Sequence, residues 1–375
     1  VDLLYTVTHL EQDKSIELHG SCRLFEVNDV IHFSSSSAGT HIDYRATFNF
    51  HVPLGPTVAA LRKGMEKMGY ESVQGLKTAL EDNYPAPTVS ASNARADRWV
   101  LPGVARFSRR GYTLGKRHWN PMSAWMGDKH AVITGATSGL GLATARSLAE
   151  RGAALTLVIR NESRAQDLVN TLQRETGALF NERAETAEGL EQSFALLLLS
   201  PYRLTLGVKP LLQAAPQARV INVVSGGMYT QPLKVRWLQA REQNYSGSVA
   251  YARCKRALMV LSEQWADAWK DENIVVNAMH PGWADTPGVE SALPGFHRIT
   301  RRILPSPEEG ADTIVWLAVA TEAAKVTGAL FLDREPRTTH LLSKTEDDAQ
   351  EREALQPYLD SISVTAPRKG RATRS

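Results

Sequence analysis

The sequence has few of the features that mark secreted, membrane-spanning or nucleic-acid-binding proteins. Its 375 residues include two cysteines, Cys22 and Cys254, which are too few for a disulfide framework and typical of a reducing compartment. The formal net charge is only +3, so bulk charge gives no attraction to nucleic acid. The longest apolar run, Phe194–Leu199, is far shorter than the roughly 20 residues that span a bilayer, and no signal-peptide pattern is present. We therefore expect a cytoplasmic protein without a nucleic-acid partner.

A glycine-rich turn connects an apolar segment to an amphipathic helix. The segment His130–Thr134 predicts a buried parallel strand, and helical spacing of apolar residues runs from Gly141 to Arg151. Free N–H groups and the helix dipole favour a phosphate at such a turn, and glycine lets a pyrophosphate approach closely. The turn predicts a dinucleotide site, with a turn that binds nothing as the alternative. The expected contacts are Gly135, Thr137, Ser138, Gly139, Leu140 and Gly141.

The end of the next predicted strand, Ala154–Ile159, bears on the choice of cofactor. Arg160 and Asn161 follow this strand, where an acidic residue would bind a free ribose hydroxyl and an arginine accommodates a 2′-phosphate. The sequence therefore favours NADP over NAD. The alternative is a solvated arginine at a strand end.

A tyrosine and a lysine follow, one helical turn apart. Tyr251 and Lys255 are at positions i and i+4 of a predicted helix, and Ser225 ends the apolar strand Val220–Val224. A nearby ammonium stabilises a phenolate and lowers its pKa, so Tyr251 could exchange a proton with an alcohol or carbonyl oxygen. Ser225 could orient that oxygen. The three residues are the predicted catalytic group, and no metal is expected.

Together these motifs resemble the short-chain dehydrogenase/reductase superfamily over about Trp99 to Asp333. The resemblance implies an α/β fold with a Rossmann-type doubly wound parallel sheet, a small-molecule substrate and a homo-oligomer. The segment Met279–Thr286 resembles the family's nicotinamide-lining segment. Pro281, Gly282 and Thr286 are accordingly expected to contact the cofactor.

The chain departs from the family pattern in two places. In this sequence Gly177 is followed directly by Ala178–Arg183. No segment of the sequence corresponds to the family's third strand, the helix after it or the fourth strand. The fourth strand would lie beside the first, at the cofactor-binding switch point, so its loss predicts a gap in the sheet. Leu197 stands where the family has an asparagine that holds a water of the proton relay.

Residues 1–83 predict a separate unit. Leu3–Leu10, Ser15–Leu18, Cys22–Phe33 and Gly39–His51 read as antiparallel strands, and apolar residues from Val58 to Leu80 recur largely at helical steps. A curved sheet followed by a long helix resembles the back half of the START-like (SRPBCC, polyketide-cyclase-like) helix-grip fold. That resemblance implies a partial α+β domain for an apolar, lipid-like ligand, although the methionines Met65 and Met68 are more often core than ligand lining.

The remaining segments connect and extend these units. Residues 84–98 form a Pro/Ala/Ser-rich linker, 99–339 the reductase domain, and 340–375 a helix and a basic tail. Aromatic and basic residues are mixed in 99–125, which predicts a solvated entry to the reductase domain or, alternatively, a peripheral membrane contact.

The sequence thus predicts an NADP-dependent oxidoreductase that transfers hydride between nicotinamide and a carbonyl or secondary alcohol. The alternative is a nucleotide-binding or lipid-binding protein without turnover, which Leu197 and the missing segment favour.

Overall fold

The computed structural model describes residues 4–22, 25–36, 39–51, 67, 69–70, 73–78, 81, 84–89, 106–120, 122, 125–158, 182–240, 244–282, 284, 303–341 and 343–362. The chain divides into two compact units, Val1–Tyr84 and Pro85–Ser375.

The first unit contains a four-stranded antiparallel meander in the order β1-β2-β3-β4. Its strands are Leu4–Glu11, Ser15–Ser21, Phe25–Ser36 and Gly39–Phe50, close to the predicted ranges. In β4 the side chains of Ile42, Tyr44, Phe48 and Phe50 are partly buried and their neighbours exposed, as the period-two pattern predicts. Residues 73–78 are helical; Met65 and Met68 lie outside the described residues. The START-like assignment stays a prediction.

The larger sheet of the second unit has the strand order β10-β9-β8-β7. Strands β7 (Ala218–Val223), β8 (Ile274–Met279) and β9 (Leu330–Leu332) run parallel, while β10 (Glu335–Arg337) pairs antiparallel with β9. In β8 every residue except Val275 is buried, as expected for a parallel strand covered on both faces.

The strand before the glycine turn belongs to a separate sheet. This strand, β5 (His130–Thr134), pairs in parallel with β6 (Ala154–Val158). Within the described part of the chain, no strand joins β5 to β7. The sheet is therefore split where the fourth family strand would lie.

The split changes the environment of β5. The strand pairs in parallel, as predicted. The expectation that it is buried is wrong, because His130, Val132 and Thr134 are exposed. Val132 is 47% exposed, and Val158 at the end of β6 is 41% exposed. A central strand of a doubly wound sheet would bury such side chains against helices on both faces. The exposure fits the loss of the neighbouring strand and helix.

Six helices of the second unit matter for the site. They are α1 (Arg109–Lys116), α2 (Gly139–Glu150), α3 (Gln192–Ala214), α4 (Gly247–Trp269), α5 (Pro307–Val319) and α6 (Ala349–Ser361). Helix α5 packs on α2, and α4 packs on β8. The predicted C-terminal helix is α6, whereas residues 363–375 lie outside the described residues.

Helix α3 extends well beyond the apolar run Phe194–Leu199 that the sequence analysis identified. By length and composition alone it could cross a membrane, which corrects the expectation that no segment is apolar enough. The core helices of soluble proteins meet the same criterion, and Tyr202 of α3 is buried in the core. Leu211 near its end is 71% exposed.

A buried arginine ties the C-terminal segment to α4. Arg256 is fully buried and donates hydrogen bonds to the carbonyl oxygens of Gln231 and Thr339 at 3.3 and 2.9 Å. Its Nε lies 3.7 Å from a carboxylate oxygen of Asp347. The position next to Lys255 thus links the helix that carries the predicted catalytic pair to three other segments.

Candidate active site

The glycine turn has a backbone suited to an anion. Gly135 has a φ of +65°, and a Cβ placed there would meet nothing within 4 Å. A Cβ on Gly141 would instead collide with the carbonyl oxygen of Gly135, so glycine is required for α2 to start this close to β5. The first N–H groups of a helix have no intrahelical acceptor. The turn therefore fits the phosphates of a dinucleotide.

The side chains around the turn are partly enclosed. Thr137 and Ser138 are buried, and Ser138 is the N-cap residue of α2. Leu140 of α2 packs toward α5, because a Cβ built on Gly310 would lie 2.7 Å from its Cδ2. The same point is 3.6 Å from Cβ of Pro281. Gly310, which the sequence analysis missed, thus lets the glycine turn and the Pro281–Gly282 segment come together.

Ser225 lies just beyond β7, at the start of a short 3-10 helix, Gly226–Thr230. Its Oγ accepts a hydrogen bond from the Gly227 N–H at 3.2 Å. The Ser225 side chain also lowers the pKa of the Tyr251 phenol. Two of the three predicted catalytic side chains therefore lie close enough to influence each other.

Lys255 lies on the same side of α4 as Tyr251. Its Nζ is 5.7 Å from the centre of the Tyr251 ring and donates a 2.7 Å hydrogen bond to the carbonyl oxygen of Val223. Val223 is the last residue of β7. Tyr251, Lys255 and Ser225 thus meet at the carboxyl end of β7, where ligands of open α/β sheets bind.

The pKa of Tyr251 differs from the expectation. Burial raises it above its ordinary value, the hydrogen bond from Ser225 lowers it, and the nearby Cys254 raises it. Burial also lowers the pKa of Lys255, to about 8. The prediction of a lowered phenol pKa is therefore wrong for this structure, because desolvation is the dominant influence on the group. Tyr251 is a protonated phenol at neutral pH.

The segment after β8 contains a fully buried histidine. His280 accepts a 3.4 Å hydrogen bond from the Gly282 N–H at Nδ1, and its Nε2 has no hydrogen-bond partner among the described residues. The rings of Phe107 and Tyr229 meet its imidazole edge to face. Burial lowers the pKa of His280 to about 3, so the ring is neutral at physiological pH.

Leu197 lies in an irregular part of α3. Residues Ala195–Leu199 form a π-helical segment, and such bulges occur often at functional sites. The segment packs on α4, and Leu197 itself is a partly buried apolar residue against the core. A leucine side chain has no donor or acceptor to hold a water.

Phe107 is a further residue near this group that the sequence motifs did not indicate. It comes from the segment read as a solvated entry, yet its ring lies beside Gly226 and its carbonyl oxygen beside Gly282. The neighbouring Ser108 is buried. The prediction that residues 99–125 are only a solvated entry to the reductase domain is therefore incomplete, because Phe107 contributes to the site. Three predicted cofactor residues, Arg160, Asn161 and Thr286, lie outside the described residues.

A phosphate-binding turn and a Tyr-Lys-Ser group at the carboxyl ends of parallel strands define a Rossmann-type nicotinamide-dependent oxidoreductase. The comparisons agree: the chain belongs to the short-chain dehydrogenase/reductase family. The family model described as short chain dehydrogenase matches residues 129–182 and 176–294. The two matched parts meet at the point where the sequence departs from the family.

Similarity to individual relatives covers most of the reductase unit. The chain is 33% identical to "Dehydrogenase/reductase SDR family member 12" of Homo sapiens over 309 residues, which covers 71% of this chain and 97% of the relative. It is 34% identical to the Bos taurus protein of the same name, with 72% and 97% covered. Human "Retinol dehydrogenase 14" is 27% identical, with 68% and 89% covered.

The alignment with the human relative also bears on the missing segment. It extends over 309 residues, whereas 71% of 375 residues is about 266. About 40 aligned positions therefore have no residue in this chain. This supports the predicted loss of internal segments.

Among solved structures, the chain is similar to L-sorbose reductase from Gluconobacter frateurii, complexed with NADPH and L-sorbose. The TM-score is 0.43 and the identity 22%, with 56% of this chain and 96% of that chain covered.

Proposed function

We propose that this protein is an NADPH-dependent carbonyl reductase of low turnover. The meeting of Ser225, Tyr251 and Lys255 at the carboxyl end of β7, with the Lys255 Nζ 5.7 Å from the centre of the Tyr251 ring, carries the proposal. It places a proton donor and a second hydroxyl where both can reach one carbonyl oxygen. Substrate and direction go beyond what the family relationship establishes.

Each residue has a separate task in this proposal. A bound nicotinamide dinucleotide would supply the hydride. Tyr251 donates its phenol proton to the oxygen of the carbonyl as the alcohol forms, and Ser225 orients that oxygen. Burial raises the pKa of Tyr251 further above neutral pH, so the phenol is available as the proton donor that carbonyl reduction needs. The Lys255 ammonium, positioned by the Val223 carbonyl, stabilises the phenolate that remains after transfer, and the phenolate regains its proton from solvent.

The residues that would hold the dinucleotide come from two segments. The N–H groups of Gly139, Leu140 and Gly141 would bind the phosphates, and Pro281 and Gly282 would contact the nicotinamide. We propose NADP rather than NAD because Arg160 follows β6 in sequence.

Low turnover follows from two features of the chain. Among the described residues, no strand lies beside the glycine turn between β5 and β7, and the Leu197 side chain has no donor or acceptor to hold a water of the proton relay. A second function, dinucleotide binding without turnover, is favoured by the same two observations. The first unit is proposed, separately, to bind an apolar ligand between its sheet and helix.

NADPH titration and NADPH oxidation separate these functions. NADPH fluorescence should change on binding to the wild-type protein, and absorbance should fall slowly when ketones are added. Binding without any oxidation would favour the second function. Absence of binding would contradict both.

A further inference from the structure

We propose that Phe107 forms a fixed apolar wall of the substrate site, so that the substrate carries an apolar group next to its reacting carbon. This inference rests on the proposed reductase function and deepens it. It concerns a segment more than 100 residues before Ser225, outside all the motifs of the reductase unit.

Phe107 touches both halves of the site. A Cβ built on Gly226, the residue after Ser225, would lie 3.4 Å from the Phe107 ring. The ring also meets the imidazole of His280 edge to face, with centres 4.9 Å apart. The Phe107 ring therefore borders the residue that follows Ser225 and the segment that follows β8, beside the place where we propose that the substrate oxygen binds.

The backbone of Phe107 is held as tightly as its ring. A Cβ on Gly282 would lie 2.5 Å from the Phe107 carbonyl oxygen, so the two backbones are in close contact and only glycine fits there. Gly282 also has a φ of +68°, which favours glycine independently. The contact fixes Phe107 against the predicted nicotinamide-lining segment.

Polar contacts anchor the flanking residues. The Arg109 N–H donates to the Ile303 carbonyl at 2.8 Å, and Arg109 Nε lies 2.9 Å from Glu309 Oε1. Glu309 itself completes a capping box with Ser306 at the start of α5. Further along, the guanidinium of Arg334 covers the Trp119 ring at 4.3 Å and binds Asp312 through two hydrogen bonds. The chain that follows Phe107 is thus held at Arg109 and again at Trp119, and Phe107 itself is held by its contact with Gly282, as expected for a wall rather than a lid.

The neighbours of Phe107 are mostly apolar or uncharged. His280 is neutral because burial lowers its pKa to about 3, and Gly226 and Gly282 present only backbone. An aromatic ring in such surroundings favours alkyl or aryl groups by burial of apolar surface. Polyhydroxylated carbonyl compounds would lose hydration there without gaining hydrogen bonds from the ring.

The test compares Phe107→Ala with wild type on a ketone series: acetone, methyl propyl ketone and methyl pentyl ketone, with dihydroxyacetone as the polar member. Both kcat/KM and ketone binding to the NADPH complex, followed by NADPH fluorescence, are measured. Binding gives a result even where turnover is too slow. Leu114→Ala on α1 is the control, because Leu114 is 48% exposed. Phe107→Leu tests rescue by another apolar side chain.

We expect wild type to bind the longer ketones more tightly than acetone, and Phe107→Ala to lose about tenfold in affinity for methyl pentyl ketone. NADPH affinity should stay unchanged, Phe107→Leu should recover part of the preference, and Leu114→Ala should match wild type. Equal preferences in wild type and Phe107→Ala would overturn the inference while leaving the reductase function standing. An equal increase in the affinity of Phe107→Ala for all four ketones would also overturn it, because Phe107 would then simply block the site. Failure of wild type to bind NADPH would overturn both proposals.

Discussion

Lys255 donates a 2.7 Å hydrogen bond to the carbonyl oxygen of Val223, the last residue of β7. The bond fixes the ammonium between the sheet and the Tyr251 ring, whose centre is 5.7 Å away. The lysine thus connects the strand that ends near Ser225 to the helix that carries Tyr251. Removing it should disturb both the proton transfer and the dinucleotide site.

Lys255→Ala should weaken NADPH binding by at least about tenfold, since a hydrogen bond from a charged group contributes about 1.5–3 kcal/mol. It should also reduce any ketone reduction. Lys270→Ala, at the exposed end of α4, is the matched control. NADPH fluorescence titration measures the first effect, and an unchanged affinity in Lys255→Ala would show that the ammonium does not serve the dinucleotide.

The proposed cofactor preference depends on Arg160. Wild type should bind NADPH more tightly than NADH, because the guanidinium pairs with the 2′-phosphate, and Arg160→Asp should remove or reverse that preference. Titration of both cofactors into both proteins tests this. Equal affinities of wild type for NADPH and NADH would contradict it.

His280 should make the stability of the protein depend on acid. Its folded pKa is about 3 and its ordinary value 6.5, so between these pH values the unfolded chain binds a proton that the folded chain excludes. The free energy of unfolding therefore falls as the pH drops from 6.5 toward 3. In urea unfolding, His280→Asn should lose this fall in the free energy of unfolding with pH. The control His118→Asn should keep it, because His118 is exposed. Parallel pH profiles for wild type and His280→Asn would contradict the assignment.

The split sheet predicts a stepwise repair. Inserting the missing segment of a relative after Gly177 should raise the Tm, because β5 and β7 would regain ladder hydrogen bonds and Val132 would be covered. Turnover should rise only when the insertion is combined with Leu197→Asn. Thermal unfolding and NADPH oxidation are measured for wild type, the insertion, Leu197→Asn alone and the combination of both changes. A wild-type rate on the order of 10 per second would show that the sheet works without the segment.

Much of the fold and site could be predicted because the signals are local. The alternation in β4, the strand–turn–helix around Gly135 and the spacing of Tyr251 and Lys255 each involve residues within a short window. Their meeting at the end of β7 follows from the parallel topology that the family resemblance implies.

The remaining features depend on tertiary packing. Phe107 comes to Gly226 and Gly282 from a distant segment, and only the fold places it there. The raised pKa of Tyr251 depends on how much burial surrounds the phenol, which the i, i+4 spacing does not report. The exposure of Val132 likewise depends on tertiary contacts rather than on the sequence of β5, because no strand other than β6 pairs with β5 in the part of the chain that the structure describes.

The most direct test of the central claim is NADPH oxidation by wild type and Tyr251→Phe in the presence of methyl pentyl ketone, with NADPH affinity measured on the same samples. Tyr251→Phe removes the hydroxyl that donates the proton but leaves the glycine turn untouched. The account predicts slow ketone-dependent oxidation by wild type, loss of nearly all of it in Tyr251→Phe, and nearly equal NADPH affinities. Ketone reduction by Tyr251→Phe at the wild-type rate would show that the proton comes from another group and would contradict the account.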